Sequence, residues 1–497
     1  MKLNRRLFCQ SAVATGFASA IPAPLLLAQT AATSRSLPAE IQAATLNGGT
    51  ATVERAALGE LAESLQGSLL LNGDFGYDGA RRIWNGMHDR FPAMIVRAAD
   101  ARDVSNAVTF ARERELLVCV KGGGHSWPGQ SVADDALMID LGLMGGVTVD
   151  PGRRRARAAG GALIYALDNA TQSHGLATTT GVVSHTGLGG FTLGGGFGRL
   201  NRRFGLTIDN LTSAQLVTAD GQIRRVSADE NADLFWAIRG GGGNFGVVTE
   251  FEYALHEVRP TVLGGDIFWP LDQARELLEF YAEWSTGLSK EMYVGPEILP
   301  TLDGAGMIGM DVCYCGEIAA GERELAPLRQ FGTPLSDGVG PTPYVTLQAR
   351  LDGAFHSGIR SYIKSGMVDE FTPGLIDAMV ESFDPQGGII VGFHTAGGAI
   401  SEVDVGATAW PHRRAQTMIL AVSAWEDPAQ DDVFISANRA QWAALESHTS
   451  GYYENIQAEV AGVRGNFGPA YERLVAVKNE FDPMNLFRRN SNVAPTV

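Results

Sequence analysis

A chain of 497 residues, 45% hydrophobic and 19% charged, is long enough for about two or three packed domains and too apolar to stay disordered. Its formal charge of −16 repels phosphate backbones and anionic lipid surfaces, so nucleic acid is not an expected partner. The 61 glycines cluster in loops without a period, which excludes collagen and low-complexity tracts.

At the start, Asn4-Arg5-Arg6-Leu7-Phe8 precedes a modestly apolar stretch from Ser11 to Ala28, with small residues at Ala28, Ala31 and Ala32. The paired arginines read as a twin-arginine export signal over residues 1–32, and the mature protein is expected in the periplasm or secreted. Pro22 and Pro24 interrupt the apolar run, which disfavours a spanning helix, and no later run is long enough to span. The mature chain is therefore expected to hold no membrane segment.

From Arg82 strands and helices alternate. Residues 93–96 read as a short strand. Residues 101–115 read as a helix with Val104, Ala107, Val108, Phe110 and Ala111 on one face and Asp100 as its N-cap. The strand at 116–120 runs into Gly122, Gly123 and Gly124, then His125 and Ser126, a Pro128-Gly129 turn, and Gln130-Ser131. Three glycines permit positive φ and close approach to the main chain, and successive N–H groups form an anion nest suited to a pyrophosphate. The stretch by itself fits a ligand loop and a plain glycine turn equally.

Strands at 137–141 and 155–159 and a helix at 164–174 lead to a second cluster, GVVSHTGLGGFTLGGGFGRL at 181–200. That much glycine rules out a helix or a packed strand interior. Residues 211–218 and 223–227 read as a hairpin around Ala219-Asp220-Gly221, and 245–255 as a long strand. Gly241, Gly243 and Gly246 match the spacing GxGxxG. They lead into β-rich sequence instead of opening a helix, so they are discounted as a dinucleotide fingerprint.

Beyond Pro260, amphipathic helices at 273–286, 320–331, 373–383 and 431–446 alternate with strands at 291–299, 306–315, 388–393 and 418–424. Helices on one face of an antiparallel sheet make an α+β substrate-binding domain. Cys119, Cys313 and Cys315 are an odd set outside the leader, and Cys313 and Cys315 share one side of a strand. Without nearby histidines they read as small buried apolar side chains, and no metal is expected.

VKGGGHS at 120–126, the 181–200 cluster, FGLTIDN at 204–210 and DLFWAIRGGGGNFGVVT from Asp233 stand in an order that resembles the vanillyl-alcohol oxidase superfamily. With the closing run AYERLVAVKNEFDPMNLFRRNSNVAP, the chain is similar, over about residues 75–497, to the berberine-bridge-enzyme-like oxidases, nicotine oxidases among them. The resemblance implies a two-subdomain FAD-binding domain at 75–258, an antiparallel-sheet substrate domain covered by helices at 259–450, and a segment at 451–497 that returns to the FAD domain.

The resemblance also implies FAD, tethered through His125 alone, because Val183 stands where bicovalent relatives carry cysteine. The remaining cofactor contacts it implies are Gly122, Gly123, Gly124, Ser126, Gln130, Ser131, Ser184, Gly189, Gly190, Gly195, Gly198, Asn201, Val248, Asn490 and Asn492. Thr186 occupies the oxygen-access position, where a valine-sized side chain goes with oxidases. Tyr453 survives from the family's YxNY segment, but the second tyrosine is Ile456, and a second polar base position is Leu420, with Met418 two residues before it.

Apolar residues at both base positions point towards amines and away from sugars, with O2 as acceptor and hydrogen peroxide as product. A carbohydrate or secondary-alcohol oxidase, or a flavin-binding relative without activity, stays open. Glu297 either faces the flavin as base or amine counter-charge, or faces water as most strand glutamates do. Tyr344, Lys364 and His412 either line the cavity or support it through hydrogen bonds. Oligomeric state is not read from the sequence.

Overall fold

The computed structural model describes residues 37–459 and 462–497, so the expected export signal lies outside the described residues. A four-stranded sheet runs in the order Ser68–Leu71, Met94–Arg97, Leu137–Asp140, Val118–Lys121, the first pair antiparallel and the others parallel. The two central strands are buried on both faces, as their unbroken apolar runs require. Helix Ala101–Glu113 covers the sheet, and the Asp100 carboxylate caps it by accepting from the amides of Arg102 and Asp103.

This subdomain starts earlier than residue 75. The hairpin of Glu40–Ala44 with Thr50–Glu54, and helix Arg55–Ser64, pack Ala43, Val53, Leu58 and Leu61 into the same core as Val104 and Leu137. Nothing in that stretch carries a glycine motif, only short apolar patterns, and the sequence reading passed over it.

The second subdomain is a five-stranded sheet in the order Ile223–Ser227, Leu211–Val217, Val247–Ala254, Arg155–Ala159, Val147–Asp150. The expected hairpin turns at Gly221, whose φ of +80° an L side chain would resist, and Ser105 Oγ donates to its carbonyl at 2.6 Å. That contact, with Val217 and Val247 packed beside Val104, joins the two subdomains.

The substrate domain is one antiparallel sheet in the order Ser336–Asp337, Thr261–Pro270, Met307–Tyr314, Met292–Leu299, Ile389–Thr395, Thr417–Trp425, Arg360–Val368, with Gly340–Pro343 also paired to Thr261–Pro270. Helices Ala274–Trp284, Ile318–Arg329, Pro373–Ser382 and Asp431–Leu445 cover one face. There Ile267, Val294, Met310, Val391 and Ile419 form the core. Thr261–Pro270 and Arg360–Val368 carry no clean alternation and were not expected as strands. Cys313 and Cys315 are buried and free, as read.

The closing segment returns to the flavin-side subdomains. Helix Tyr471–Phe481 packs on Ala232–Ile238, and Phe467, Leu474, Val475, Val477 and Val493 enter the five-stranded subdomain's core. Buried Lys478 donates to Asp482 at 2.7 Å and to the carbonyls of Asn244 and Phe487 at 2.7 and 2.9 Å. It locks the glycine loop before Val247 to the C-terminal tail.

Candidate active site

Strand register decides which side chains meet the flavin-side loops. Glu297 pairs with Gly309 and Gly392, Gly295 with Asp311, Asp311 with Asp266, and Gly392 with Leu420. With a side-chain period of two, Asp266, Asp311, Tyr293, Glu297, His394, Met418 and Leu420 share one face. The helices cover the other. A cavity of about 470 Å3 runs along this face and continues between the glycine loops.

From the flavin side, Gly122 to Ser126, Gln130, Ser131, Val183, Thr186, Gly189, Gly190, Val248 and Asn490 line the cavity. Five expected contacts do not. Ser184 is turned to Asp352, with its amide at 2.8 Å and its hydroxyl at 2.6 Å from the carboxylate oxygens. Gly195 packs under the rings of Trp410 and Tyr453, and Gly198 is so close to the Thr180 carbonyl that a Cβ would sit 1.8 Å from it. Asn201 donates to the Thr395 carbonyl at 2.9 Å, and Asn492 follows Ser491, whose carbonyl is held by Asn244. These residues hold the loops from behind.

Tyr453 borders the cavity but is not free to act as a base. Its hydroxyl oxygen accepts from the Gly196 amide at 2.8 Å and from Asn455 Nδ2 at 2.7 Å, and burial pushes its pKa up to about 12. Its role is to clamp the second glycine cluster. Ile456, Leu420 and Met418 line the cavity. Tyr344, Lys364 and His412 stay outside the lining, and Lys364 pairs with Glu459 at 2.8 Å.

Glu297 faces the cavity instead of bulk water. It stands in a charged wall that sequence reasoning missed: Asp266, Asp311 and Arg350 line the same space, and buried Arg199 reaches Asp311 at 3.0 Å. Arg350 bonds Asp266 and lies 3.1 Å from Asp311. Burial, then repulsion from Asp266, pushes Glu297 up to about 8 against the pull of Arg350. Burial would raise Asp311 too, but Arg199 and Arg350 hold it below its ordinary value. His394, pushed down to about 4 by burial, stays neutral, with Nδ1 3.3 Å from Tyr293 Oη. The available signal was an acid inside each of two otherwise apolar strands.

Residues 92–227 match the FAD binding domain family, and residues 453–494 match the family described as berberine and berberine like. An FAD-linked oxidoreductase of Dictyostelium discoideum is 30% identical over 448 residues, spanning 88% of this chain and 96% of that protein. (R)-6-hydroxynicotine oxidase of Paenarthrobacter nicotinovorans is 32% identical over 454 residues, spanning 87% and 97%. The chain belongs to the berberine-bridge-enzyme-like FAD-linked oxidoreductases. The crystal structure of 6-hydroxy-D-nicotine oxidase from Arthrobacter nicotinovorans matches this berberine-bridge-enzyme-like fold with a TM-score of 0.80 at 31% identity, covering 86% of this chain and 98% of that one.

The berberine-bridge-enzyme-like loops fit FAD by their own geometry. Gly123 and Gly187, from the two clusters, approach so closely that a Cβ on Gly123 would lie 2.4 Å from Gly187 Cα. Gly124 has φ +72°. Among the described residues no acceptor meets the amides of Gly122, Gly123, Gly124 and His125, and Ser131 Oγ and Asn490 Oδ1 are buried at the cavity wall without partners. Open amides on a glycine nest and unpaired polar atoms are what a pyrophosphate-bearing cofactor satisfies. The chain is an FAD-dependent oxidoreductase. No helix among the described residues is long and apolar enough to cross a membrane.

Proposed function

We propose that this enzyme is an exported oxidase that removes hydride from a C–H next to nitrogen in a small amine with an apolar body. O2 takes the electrons and leaves as hydrogen peroxide, and FAD is held covalently through His125. The observation that carries this reading is the cavity itself, which joins the His125 loop to a wall where apolar Met418, Leu420 and Ile456 stand together with the carboxyl group of Glu297 and the charged set of Asp266, Asp311 and Arg350.

FAD supplies the hydride acceptor when bound. The chain's own contribution is placement: the glycine loops hold the cofactor, while Met418, Leu420 and Ile456 exclude water from the reacting carbon. Glu297, titrating near the working pH, takes a proton from the arriving ammonium and leaves the nitrogen lone pair that drives hydride departure. The likeness to 6-hydroxynicotine oxidases supports an amine. Export follows from Arg5-Arg6 and the stretch behind them.

A second reading, oxidation of a secondary alcohol or carbohydrate, is favoured by one observation: a carboxyl group titrating near 8 also suits removal of an O–H proton. The test is to add amines, secondary alcohols and sugars to the yellow protein without oxygen, then admit air. Bleaching by amines, with colour and stoichiometric peroxide returning in air, is expected. Bleaching by sugars alone would reverse the order of the readings, and bleaching by none would remove the oxidase reading.

A further inference from the structure

His125 has a partner that the tether alone does not require. Its Nε2 lies 2.7 Å from Nδ1 of His185, sixty residues further along, while Thr186 Oγ1 is 3.4 Å from its Nδ1. Trp84 stacks on the His125 ring, with centroids 4.9 Å apart and planes at 17°, which fixes the imidazole plane. His185 is fixed in turn by its neighbours: Asp352 holds Ser184, and the Thr186 carbonyl accepts from the Ile164 amide at 2.9 Å. His185 Nε2 is buried and meets no partner among the described residues.

A neutral imidazole carries one N–H, and its hydrogen bonds choose which nitrogen holds it. Burial, reinforced by the neighbouring His185, pushes His125 down to about 3, so it is neutral at working pH. A proton on Nδ1 would find only Thr186, at a distance too long for a good bond. A proton on Nε2 finds His185 at a strong distance, and Nδ1 keeps its lone pair.

We infer that His185 is a positioning residue for the flavin bond: by accepting the Nε2 proton of His125 it keeps Nδ1 free to attack, and it takes that proton when Nδ1 reacts. The inference rests on the proposed tether. In that step a bond forms between Nδ1 and the 8α-methyl carbon of the flavin, and that carbon gives up one hydrogen as a proton. The Nε2 proton of His125 passes to His185 Nδ1, and the flavin ring takes the two electrons. O2 then collects two electrons and two protons as hydrogen peroxide, so the hydrogens lost from nitrogen and carbon are both accounted for.

The experiment follows acid-stable flavin in protein incubated with excess FAD in air, for wild type, His125→Ala, His185→Ala, His185→Asn and His185→Leu. His185→Ala should bind FAD that washes out in acid, with bond formation slowed on the order of 100-fold. His185→Asn, whose amide oxygen can accept the Nε2 proton, should recover part of the rate, and a merely structural gap would not be rescued in this way. Wild-type rates in His185→Ala would overturn the inference. If that variant fails to bind FAD, equal rates in His185→Asn and His185→Leu would do the same. Wild-type protein whose flavin is wholly acid-soluble would overturn the tether itself, and the inference with it.

Discussion

Asp266 and Asp311 stand directly opposite each other on neighbouring antiparallel strands, and Arg350 binds both. Like charges across a sheet repel, so the pair depends on its cations, Arg350 for both and Arg199 for Asp311. Arg350→Met is expected to leave two buried carboxylates facing each other, with a loss of about 3–5 kcal/mol of stability. Urea unfolding measures it. A loss under about 1 kcal/mol would mean the carboxylates share a proton and hold no full charge.

Glu297 adds a pH signature to the same wall. Its folded pKa, near 8, lies above the ordinary carboxyl value, so the folded state keeps a proton that the unfolded chain gives up. The stabilising proton is fully present at acid pH and is lost as pH rises through about 8. Wild type should therefore lose stability between pH 5 and 9 more steeply than Glu297→Gln. Parallel melting-temperature profiles for the two proteins would contradict the burial of this carboxyl group.

Much of the flavin half was legible because glycine speaks locally. A nest, a cap at Asp100 and a hairpin at Gly221 are set by residues within a few positions of each other. The substrate wall was legible only as alternation: residues 291–299 read as a strand, yet whether Glu297 faced cavity or water depended on the register with Gly309 and Gly392. The partnership of His125 with His185 could not be read at all. His185 looks like a spacer inside a glycine cluster until the fold closes sixty positions. The surroundings of Tyr453 were hidden for a related reason, since its two donors come from Asn455 and from the distant Gly196.

Lys478 is expected to be a stability residue. It is fully buried with Asp482 and two carbonyl acceptors, so Lys478→Met removes the cation all three face and leaves the Asp482 carboxyl group only the amides of Leu486 and Phe487. A loss of about 3–5 kcal/mol follows. Limited proteolysis should cut the variant first after residue 478, where the tail leaves the glycine loop. Cleavage no faster than in wild type would show that the apolar packing of Leu474 and Val475 suffices.

Thr186 tests oxygen access. It lies on the cavity wall beside His125, with its hydroxyl 3.4 Å from the ring. Thr186→Leu is expected to slow reoxidation of reduced enzyme in air by on the order of tenfold, leaving anaerobic flavin reduction within about twofold. Stopped-flow absorbance separates the two steps. Equal reoxidation rates would remove oxygen gating from this residue.

The chemistry itself turns on Glu297. An alcohol needs its O–H proton removed as hydride leaves, whereas a neutral amine already carries the driving lone pair. With Leu420 and Ile456 on the cavity wall, Glu297 is the acid on that sheet face whose pKa lies near the working pH, whereas Arg199 and Arg350 hold Asp311 below its ordinary value. If it only receives the ammonium proton, Glu297→Gln should raise KM for amines at neutral pH. Flavin reduction at high pH, where the amine arrives neutral, should then stay within about fivefold of wild type. The rate of the variant should rise with the substrate's own deprotonation, without the inflection near 8 that the wild type owes to its carboxyl group. A loss of several hundredfold at every pH, on the order of 3 kcal/mol in the barrier, would instead make Glu297 the base of the chemical step and restore alcohols as substrates.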